Sequence, residues 1–286
     1  MTGKRHSTGS PRHAHRIRSA VISAVLLAVC LVWIYPLIWM AGTSLKANAE
    51  VFDGLGVFSS VLHLENYVRA WRDARMGEYF LNTVFVTGLS IAITVTVVAM
   101  TGYVLGRYRF PGKPAVIAVL AAVIFLPEGY TIIPVVDLIG KLHLDGSLWG
   151  LTLAESGGAH VVSTLLFAGY FSRLPKELGE AAALDGAGFF RIFWRVYLPL
   201  AKPVVAVAVI LQFMHAWNDF LLPLVLTLTR PELRTLSVGM YAFQGEEFTD
   251  WSGMMAAATI GLLPIVLLFL FLQRYFVEGV AGAVKD

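Results

Sequence analysis

Three carboxylic acids stand inside long apolar stretches of this sequence: Glu128, Glu155 and Asp219. An ionisable side chain is costly in an apolar segment, so it marks either a polar pathway or a place where the chain needs a hydrogen-bond partner. Asn218 precedes Asp219, and the ring of Pro223 breaks the helix near that point and frees a carbonyl group. Asn218 and Asp219 therefore either satisfy the backbone at this break or line a pathway or gate. Glu128 has the same two interpretations.

Other side chains give little indication of chemistry. Trp217 offers a flat apolar face to a substrate, but aromatic residues in membranes more often pack or anchor at the interface. The signatures G-x-x-x-x-G-K-[ST], H-E-x-x-H and G-x-S-x-G are absent from the sequence, which predicts no ATP site, no catalytic residues and no hydrolase activity on this chain. We also expect no metal site and no cofactor. The single cysteine, Cys30, rules out an intrachain disulfide and is predicted to be a small buried hydrophobe.

The composition identifies the class of protein. Of the 286 residues, 57% are hydrophobic and 14% are charged, with a net charge of +3 and a mean hydropathy of +0.70. Soluble domains carry about 25% charged residues, so the chain has too little polar surface for an ordinary cytosolic enzyme. The composition predicts an all-α integral membrane protein.

Six apolar segments are long enough to cross a bilayer, which needs about 20 residues. The fourth is the weakest, because Glu155 and the pair Gly157-Gly158 interrupt it. We expect one transmembrane domain over 19–286, preceded by a disordered tail over 1–18. The six predicted spans are 20–40, 80–105, 114–136, 148–171, 203–228 and 251–272.

The basic residues predict the orientation of these spans. Of the 22 Lys and Arg residues, 15 lie in the tail, the C-terminus and two of the loops, and 7 lie in the loops of the other side. Loops rich in Lys and Arg stay in the cytoplasm. Both termini are therefore predicted to be cytoplasmic, in agreement with an even number of spans. Near the outer end of the second span, Asn82 is predicted to cap a helix.

The longest cytoplasmic loop, 172–202, contains two predicted helices. The first runs over 176–184 and ends at Asp185-Gly186, where glycine permits the left-handed conformation that terminates a helix. The second runs over 189–197, with apolar residues at positions i, i+3, i+4, i+7 and i+8, and Leu198-Pro199 is expected to stop it. Periodicity alone is equally consistent with a connector that lies on the lipid surface.

The amino-acid sequence of this loop contains a specific motif. It reads Glu180-Ala181-Ala182, three residues, Gly186, nine residues, then Val196, one residue and Leu198-Pro199. This pattern resembles the EAA loop of permease subunits in ATP-driven, binding-protein-dependent (ABC) importers, with Val196 where that family usually has Ile. The resemblance implies a type I importer permease fold. It also implies that one set of residues contacts a separate ATPase and couples it to the membrane helices: Glu180, Ala181, Ala182, Asp185, Gly186, Leu198 and Pro199.

Stretches from about residue 30 to the end resemble the second, shorter permease subunit of the maltose and multiple-sugar branch. They include 35–40, 102–113, 217–220 and 273–285. The resemblance implies a multi-pass subunit of the inner membrane that imports a mono- or oligosaccharide by alternating access. It further implies a homologous second permease, two ATPase subunits that hold ATP and Mg²⁺, and an extracytoplasmic sugar-binding protein that contacts 229–250. The C-terminal tail, at Gly279, Ala281 and Gly282, is expected to reach the ATPase.

Two alternatives stay open at the level of sequence. In the first alternative, the same kind of importer transports glycerol-phosphate or another small polar solute instead of a sugar. In the second alternative, the chain is a stand-alone secondary transporter. Such a transporter needs an ion relay or an inverted repeat, and neither is visible in the sequence.

Overall fold

Helices form nearly all the regular structure in the computed structural model, which describes residues 11–54, 56–57, 61–158, 160–244 and 249–283. The side chains of 11–17, 128, 242 and 274–283 are outside this description. Within these ranges there is no β-strand, only an isolated bridge between Gln244 and Thr249. The all-α fold class is therefore confirmed.

Fourteen α-helices are present in the described residues. In chain order they are α1 (Pro11–Thr43), α2 (Glu65–Arg72), α3 (Met76–Arg107), α4 (Lys113–Val123), α5 (Ile132–Lys141), α6 (Leu148–Ser156), α7 (Val161–Arg173), α8 (Glu177–Leu184), α9 (Phe189–Ile192), α10 (Leu198–Leu200), α11 (Lys202–Asn218), α12 (Leu221–Leu226), α13 (Leu236–Met240) and α14 (Trp251–Ala283). Short 3₁₀ turns occur at Asn48–Glu50, Glu128–Thr131, Pro231–Leu233 and Tyr241–Phe243, and a π turn joins α9 to α10 over Phe193–Tyr197.

Three of the six predicted spans are continuous helices. Among the described residues, Arg18–Thr43, Met76–Arg107 and Trp251–Gln273 are each long and apolar enough to cross a membrane. The other three spans are each divided into two helices, α4 and α5, α6 and α7, and α11 and α12. Pro127 and Gly157-Gly158 lie at the first two divisions, and Pro223 follows the third within the first turn of α12; all of these residues disfavour an uninterrupted helix.

The first helix differs from two expectations. It begins at Pro11, inside the segment predicted as a disordered tail, while residues 1–10 lie outside the described residues. Proline suits the first turn of a helix, because the backbone N–H that it lacks would have no intrahelical partner there. The prediction that Cys30 is buried is wrong: it is exposed, because α1 stands apart from the bundle and contacts mainly α14.

α3 is the central helix, and a hydrophobic core lies at each end of it. Around its N-terminal end, α2, α11, α13 and α14 enclose Met76, Tyr79 and Phe213. Around its C-terminal end, α7 and the π turn enclose Tyr103 and Phe171. A single rigid helix thus connects the two cores.

Two glycines let α3 approach α7 closely. A Cβ atom at Gly102 would lie 2.4 Å from the Cβ of Phe167, and one at Gly106 would lie 2.6 Å from the carbonyl oxygen of Ala168. This small-x-x-x-small spacing allows backbones to meet where a larger side chain would separate them. The α3–α7 contact is the most extensive between any two described helices.

α2 is tied both to the start of α14 and to the segment that joins it to α1. Arg69 forms an ion pair with Asp250, Nε to Oδ2, at 3.0 Å. Asp250 also accepts a hydrogen bond from the backbone N–H of Gly253 (2.9 Å), which caps α14. Asn66 donates to the carbonyl groups of Ser44 and Lys46, both at 2.9 Å. These contacts fix the chain that leads from α1 into α3.

Candidate functional site

The predicted helix that carries Glu180 is present as α8. Two acids, Glu177 and Glu180, lie in its first turn, where they interact favourably with the positive end of the helix dipole. The helix ends in a Schellman motif: the N–H of Gly186 donates to Ala183 O (3.0 Å), and the N–H of Ala187 donates to Ala182 O (2.9 Å). Gly186 has φ +78°, so the predicted left-handed turn is confirmed.

α8 presents a nearly bare surface to its surroundings. Glu180, Ala181 and Ala183 are exposed, and Leu184 is 90% exposed. Ala182 packs against the core that involves α7 and the π turn, and the backbone at Gly179 approaches Tyr197 of that core. A short helix of small residues with two exposed leucines, Leu178 and Leu184, and an acid at each end fits a cleft in a second protein.

The second predicted helix is also present, but it does not stop at Leu198-Pro199. The chain runs helically from Phe189 through the π turn to Leu200, bends by 85° and continues as α11. Pro199 lies at the start of α10, where a missing backbone N–H removes little from the helical hydrogen bonding. Ile192, Phe193 and Tyr197 are buried, whereas Arg191 and Arg195 are exposed, so the predicted amphipathic face is confirmed.

The helix break at the end of α11 is the one that the sequence predicts. The Nδ2 atom of Asn218 donates to Met214 O (2.8 Å), and the backbone N–H of Leu221 donates to Oδ1 of Asp219 (3.1 Å). Both residues thus satisfy backbone groups at the break. Trp217 is 5% exposed and donates from its ring N–H to Gly261 O (3.1 Å). The Trp217 ring is therefore used in packing.

A buried polar cluster lies where the divided fourth and fifth spans meet. The side chain of Glu155, at the end of α6, has no exposure to solvent, and its Oε2 lies 3.6 Å from Nε2 of His215. Neither carboxylate oxygen has a hydrogen-bond partner, and neither does Oε1 of Gln212. The Nε2 atom of Gln212 donates to the carbonyl of Glu155 (3.2 Å) and to Ser90 Oγ (3.3 Å). Three buried acceptors without donors could therefore bind hydrogen-bond donors of a ligand.

Three other predicted positions have different outcomes. Asn82 is not a helix cap, because α3 begins six residues earlier. Its side chain instead donates to the carbonyl groups of Glu232 (2.8 Å) and Arg234 (3.0 Å). Glu128 begins a 3₁₀ turn in the third span, but its side chain lies outside the described residues. The side chains of Gly279, Ala281 and Gly282 lie outside them as well, although the backbone is helical to Ala283.

Two of the exposed ion pairs outside the predicted spans shift the pKa of a member. His63 Nδ1 is 2.5 Å from Oε1 of Glu65, and this hydrogen bond lowers the pKa of the Glu65 carboxyl group. Arg75 is 2.6 Å from Glu78, which raises the pKa of the Arg75 guanidinium. Both pairs are in contact with solvent, where such pairs contribute little to stability.

Sequence reasoning missed several residues of these sites. Sequence patterns predict no specific role for Leu184, His215 or Gln212, and Arg107 contributes only to the charge distribution that predicts the orientation. For Leu184 a signal exists, since it is a large apolar side chain inside a predicted polar loop. Nothing in the sequence separates Gln212 or His215 from other polar residues near a helix end.

Comparison with known proteins decides the family. Residues 114–282 match the family described as the inner membrane component of binding-protein-dependent transport systems. The chain belongs to this family. It is 33% identical to the probable ABC transporter permease protein YurM of Bacillus subtilis, over 96% of this chain and 91% of that protein. It is 31% identical to the diacetylchitobiose uptake system permease protein NgcG of Streptomyces coelicolor, over 94% and 88%.

A solved structure supports the same fold. It is that of a bacterial ABC transporter involved in the import of the acidic polysaccharide alginate, with a TM-score of 0.78, 23% identity, and coverage of 96% of this chain and 100% of that chain. As a member of the matched family, the chain is an inner-membrane transporter component and not an enzyme. As a member of a binding-protein-dependent ABC system, it works with an ATPase and a substrate-binding protein.

Proposed function

We propose that this permease subunit imports a sugar, and that α8 couples its movement to ATP hydrolysis on a partner chain. The observation that carries the coupling role is the exposed surface of α8, closed by the left-handed turn at Gly186. Glu180, Ala181, Asp185 and Gly186 are exposed on this surface, and Ala182 packs behind it. Leu198-Pro199 complete the set of coupling residues in the helix that follows. Because α8 is rigid and short, a displacement of its partner moves it as a unit.

A sugar substrate is supported by the relative from Streptomyces coelicolor, whose name gives diacetylchitobiose uptake. The resemblance of 35–40, 102–113 and 217–220 to the maltose and multiple-sugar branch points to the same class. Sugars expose many hydroxyl donors. The three unpaired acceptors around Glu155 and Gln212 are the kind of group that such donors satisfy.

The proposed assembly contains a homologous second permease, two ATPase subunits and an extracytoplasmic sugar-binding protein. The exposed apolar faces of α1 and α14 provide surface for lipid and for the second permease. ATP and Mg²⁺ belong to the ATPase subunits in this proposal. The tail at Gly279, Ala281 and Gly282 extends toward them, and the binding protein contacts 229–250.

The orientation places both termini and α8 in the cytoplasm. This follows from the distribution of Lys and Arg, of which 15 of 22 fall on the side that contains α8. The same arrangement puts the Arg69–Asp250 ion pair on the outer side.

Alternating access would open and close a polar route beside the divided spans. Asn218 and Asp219 stand at the break between α11 and α12, so a small change in their hydrogen bonds alters the angle between two half-helices. Glu128 and Trp217 belong to this pathway or gate on sequence grounds. Because the Trp217 ring is packed and hydrogen-bonded, we assign it a structural role beside the pathway rather than a position that lines it.

The test uses the assembled complex in proteoliposomes, with labelled diacetylchitobiose and maltose outside and ATP inside. Glu180→Lys and Gly186→Ala are expected to reduce both ATPase retention on purification and sugar uptake, because one reverses a charge and the other strains the turn. Gly188→Ala is the matched control, since Gly188 has φ −75° and open space around its Cα. Normal uptake and normal ATPase retention in Glu180→Lys would contradict the role of α8.

A further inference from the structure

One arginine holds both ends of the loop that contains α8. Arg107 is the last residue of α3, and its guanidinium lies beside the C-terminal end of α7. Nη1 donates to the carbonyl oxygen of Leu174 (2.6 Å) and, more weakly, to that of Phe171 (3.4 Å). Nη2 donates to the carbonyl oxygen of Pro175 (3.1 Å) and to the hydroxyl oxygen of Tyr197 (2.5 Å). Arg107 thus joins the chain that enters α8 to the chain that leaves it.

Tyr197 extends this contact to α8 itself. Its ring is 2% exposed and packs against Tyr103, with ring centroids 5.1 Å apart. The Cζ of Arg107 lies 4.8 Å from the centroid of the Tyr197 ring, in a cation–π arrangement. On its other side, the Tyr197 hydroxyl faces Gly179 in α8, where a Cβ atom would lie only 2.7 Å from the oxygen. The backbone of α8 therefore rests on the hydroxyl group that Arg107 holds.

We propose that Arg107 is a positioning residue that transmits the displacement of α8 to α3, through Tyr197 and Gly179. This inference rests on the proposed coupling role of α8. α3 reaches from this contact to the core at its other end, and the close approach at Gly102 and Gly106 prevents it from sliding against α7. A shift of α8 therefore moves α3 as a rigid body.

The chemistry of the site requires arginine. The three acceptors on the loop, the Leu174 and Pro175 carbonyls and the Tyr197 hydroxyl, lie in different directions. A planar guanidinium reaches them at once with fixed N–H groups. A lysine ammonium is a compact charge on a flexible stem and would satisfy fewer of them. The end of α3 also favours a cation, because the C-terminal carbonyls carry partial negative charge.

The experiment measures transmission and stability separately, in the assembled complex in nanodiscs. In a Cys30→Ser background, one fluorophore is attached at Glu177→Cys, in the first turn of α8, and in a second sample at Leu81→Cys, an exposed site near the far end of α3. ATP with vanadate traps the ATPase, and the change in fluorescence is recorded. The variants are Arg107→Gln, Arg107→Lys and Tyr197→Phe, with Arg109→Gln as a control at an exposed arginine two residues away.

In Arg107→Gln we expect an unchanged response at position 177 and a response at position 81 reduced about fivefold or more, since charge-assisted hydrogen bonds are lost. Arg107→Lys and Tyr197→Phe should give intermediate reductions at position 81, and Arg109→Gln none. If the complex with Arg107→Gln does not assemble, the responses of Arg107→Lys and Tyr197→Phe at position 81 test the inference. A full response at 81 in both Arg107→Lys and Tyr197→Phe would overturn this inference alone. The absence of any response at 177 in the unchanged chain would overturn the proposed function as well.

Discussion

His215 lies beside a carboxylate that solvent does not reach: its Nε2 is 3.6 Å from Oε2 of Glu155, whose side chain is fully buried. The distance is too long for a hydrogen bond, and both oxygens of Glu155 remain without a donor. Asp219 adds a second carboxyl group nearby. The residues at the two helix breaks therefore form an under-satisfied polar cluster rather than a closed hydrogen-bond network.

Replacing Glu155 by Gln should stabilise the subunit. The amide group supplies N–H donors to a site that holds only unpaired acceptors, so we expect a gain of about 1 kcal/mol in the free energy of unfolding. Uptake of labelled sugar should fall, because the proposed polar route loses an acidic acceptor beside the helix breaks. Thermal unfolding of the purified complex measures the first effect, with Asp53→Asn at an exposed acid as control. A lower unfolding midpoint in Glu155→Gln would contradict the description of this cluster.

The close approach of α3 and α7 predicts a sharp difference between glycines of one helix. Gly106→Ala places a methyl group 2.6 Å from the carbonyl oxygen of Ala168, and the two backbones must separate, at a cost of about 1–3 kcal/mol. Gly88→Ala, with nothing within 4 Å, should instead stabilise α3 by about 1 kcal/mol through helix propensity. Thermal unfolding in detergent would compare them, and equal midpoints would refute the tight contact.

Leu184 should contribute to ATPase docking. It is 90% exposed on α8, and burial of a leucine against a partner contributes about 1.5–3 kcal/mol. Leu184→Ala is therefore expected to weaken binding of the ATPase about tenfold or more, as measured by titration of the purified ATPase against the permease pair. Leu142→Ala, which changes a leucine 51% exposed at the end of α5, serves as the control. Equal affinities would place the docking surface elsewhere.

Asp250 should anchor the start of α14. Asp250→Ala removes both the helix cap at Gly253 and the ion pair with Arg69, and we expect a loss of about 1–2 kcal/mol. Asp250→Asn retains a capping oxygen and should lose less. The readout is the thermal midpoint of the purified subunit pair, with Asp53→Ala as control. An Asp250→Asn variant less stable than Asp250→Ala would show that capping is not the main contribution.

The positions of two helix ends were predictable from neighbouring residues alone. The turn at Gly186 and the break beside Asp219 follow from rules that act within a few residues, namely the left-handed freedom of glycine and the missing N–H of proline. Both were predicted, and both are present. The prediction that Asn82 caps a helix is wrong, because α3 begins at Met76 and the Asn82 side chain makes a tertiary contact.

Burial and long-range contacts belong to the tertiary structure. Asn82 meets a carbonyl group 150 residues away, and Arg107 meets Tyr197 across 90 residues. In the sequence, Arg107 is one basic residue among 22. Its acceptors come together only because Gly102 and Gly106 let α7 lie against α3.

The sequence by itself determined the membrane class, the six apolar segments, the bounds of α8 and the resemblance to importer permeases, because apolar periodicity and a fixed motif are properties of neighbouring residues. Only the tertiary structure decided that Glu155 lies unpaired beside His215 and that one guanidinium holds both ends of the α8 loop. The physical reason is that a hydrogen-bond partner or a desolvated surface is set by which helices pack together. That packing depends on the whole chain.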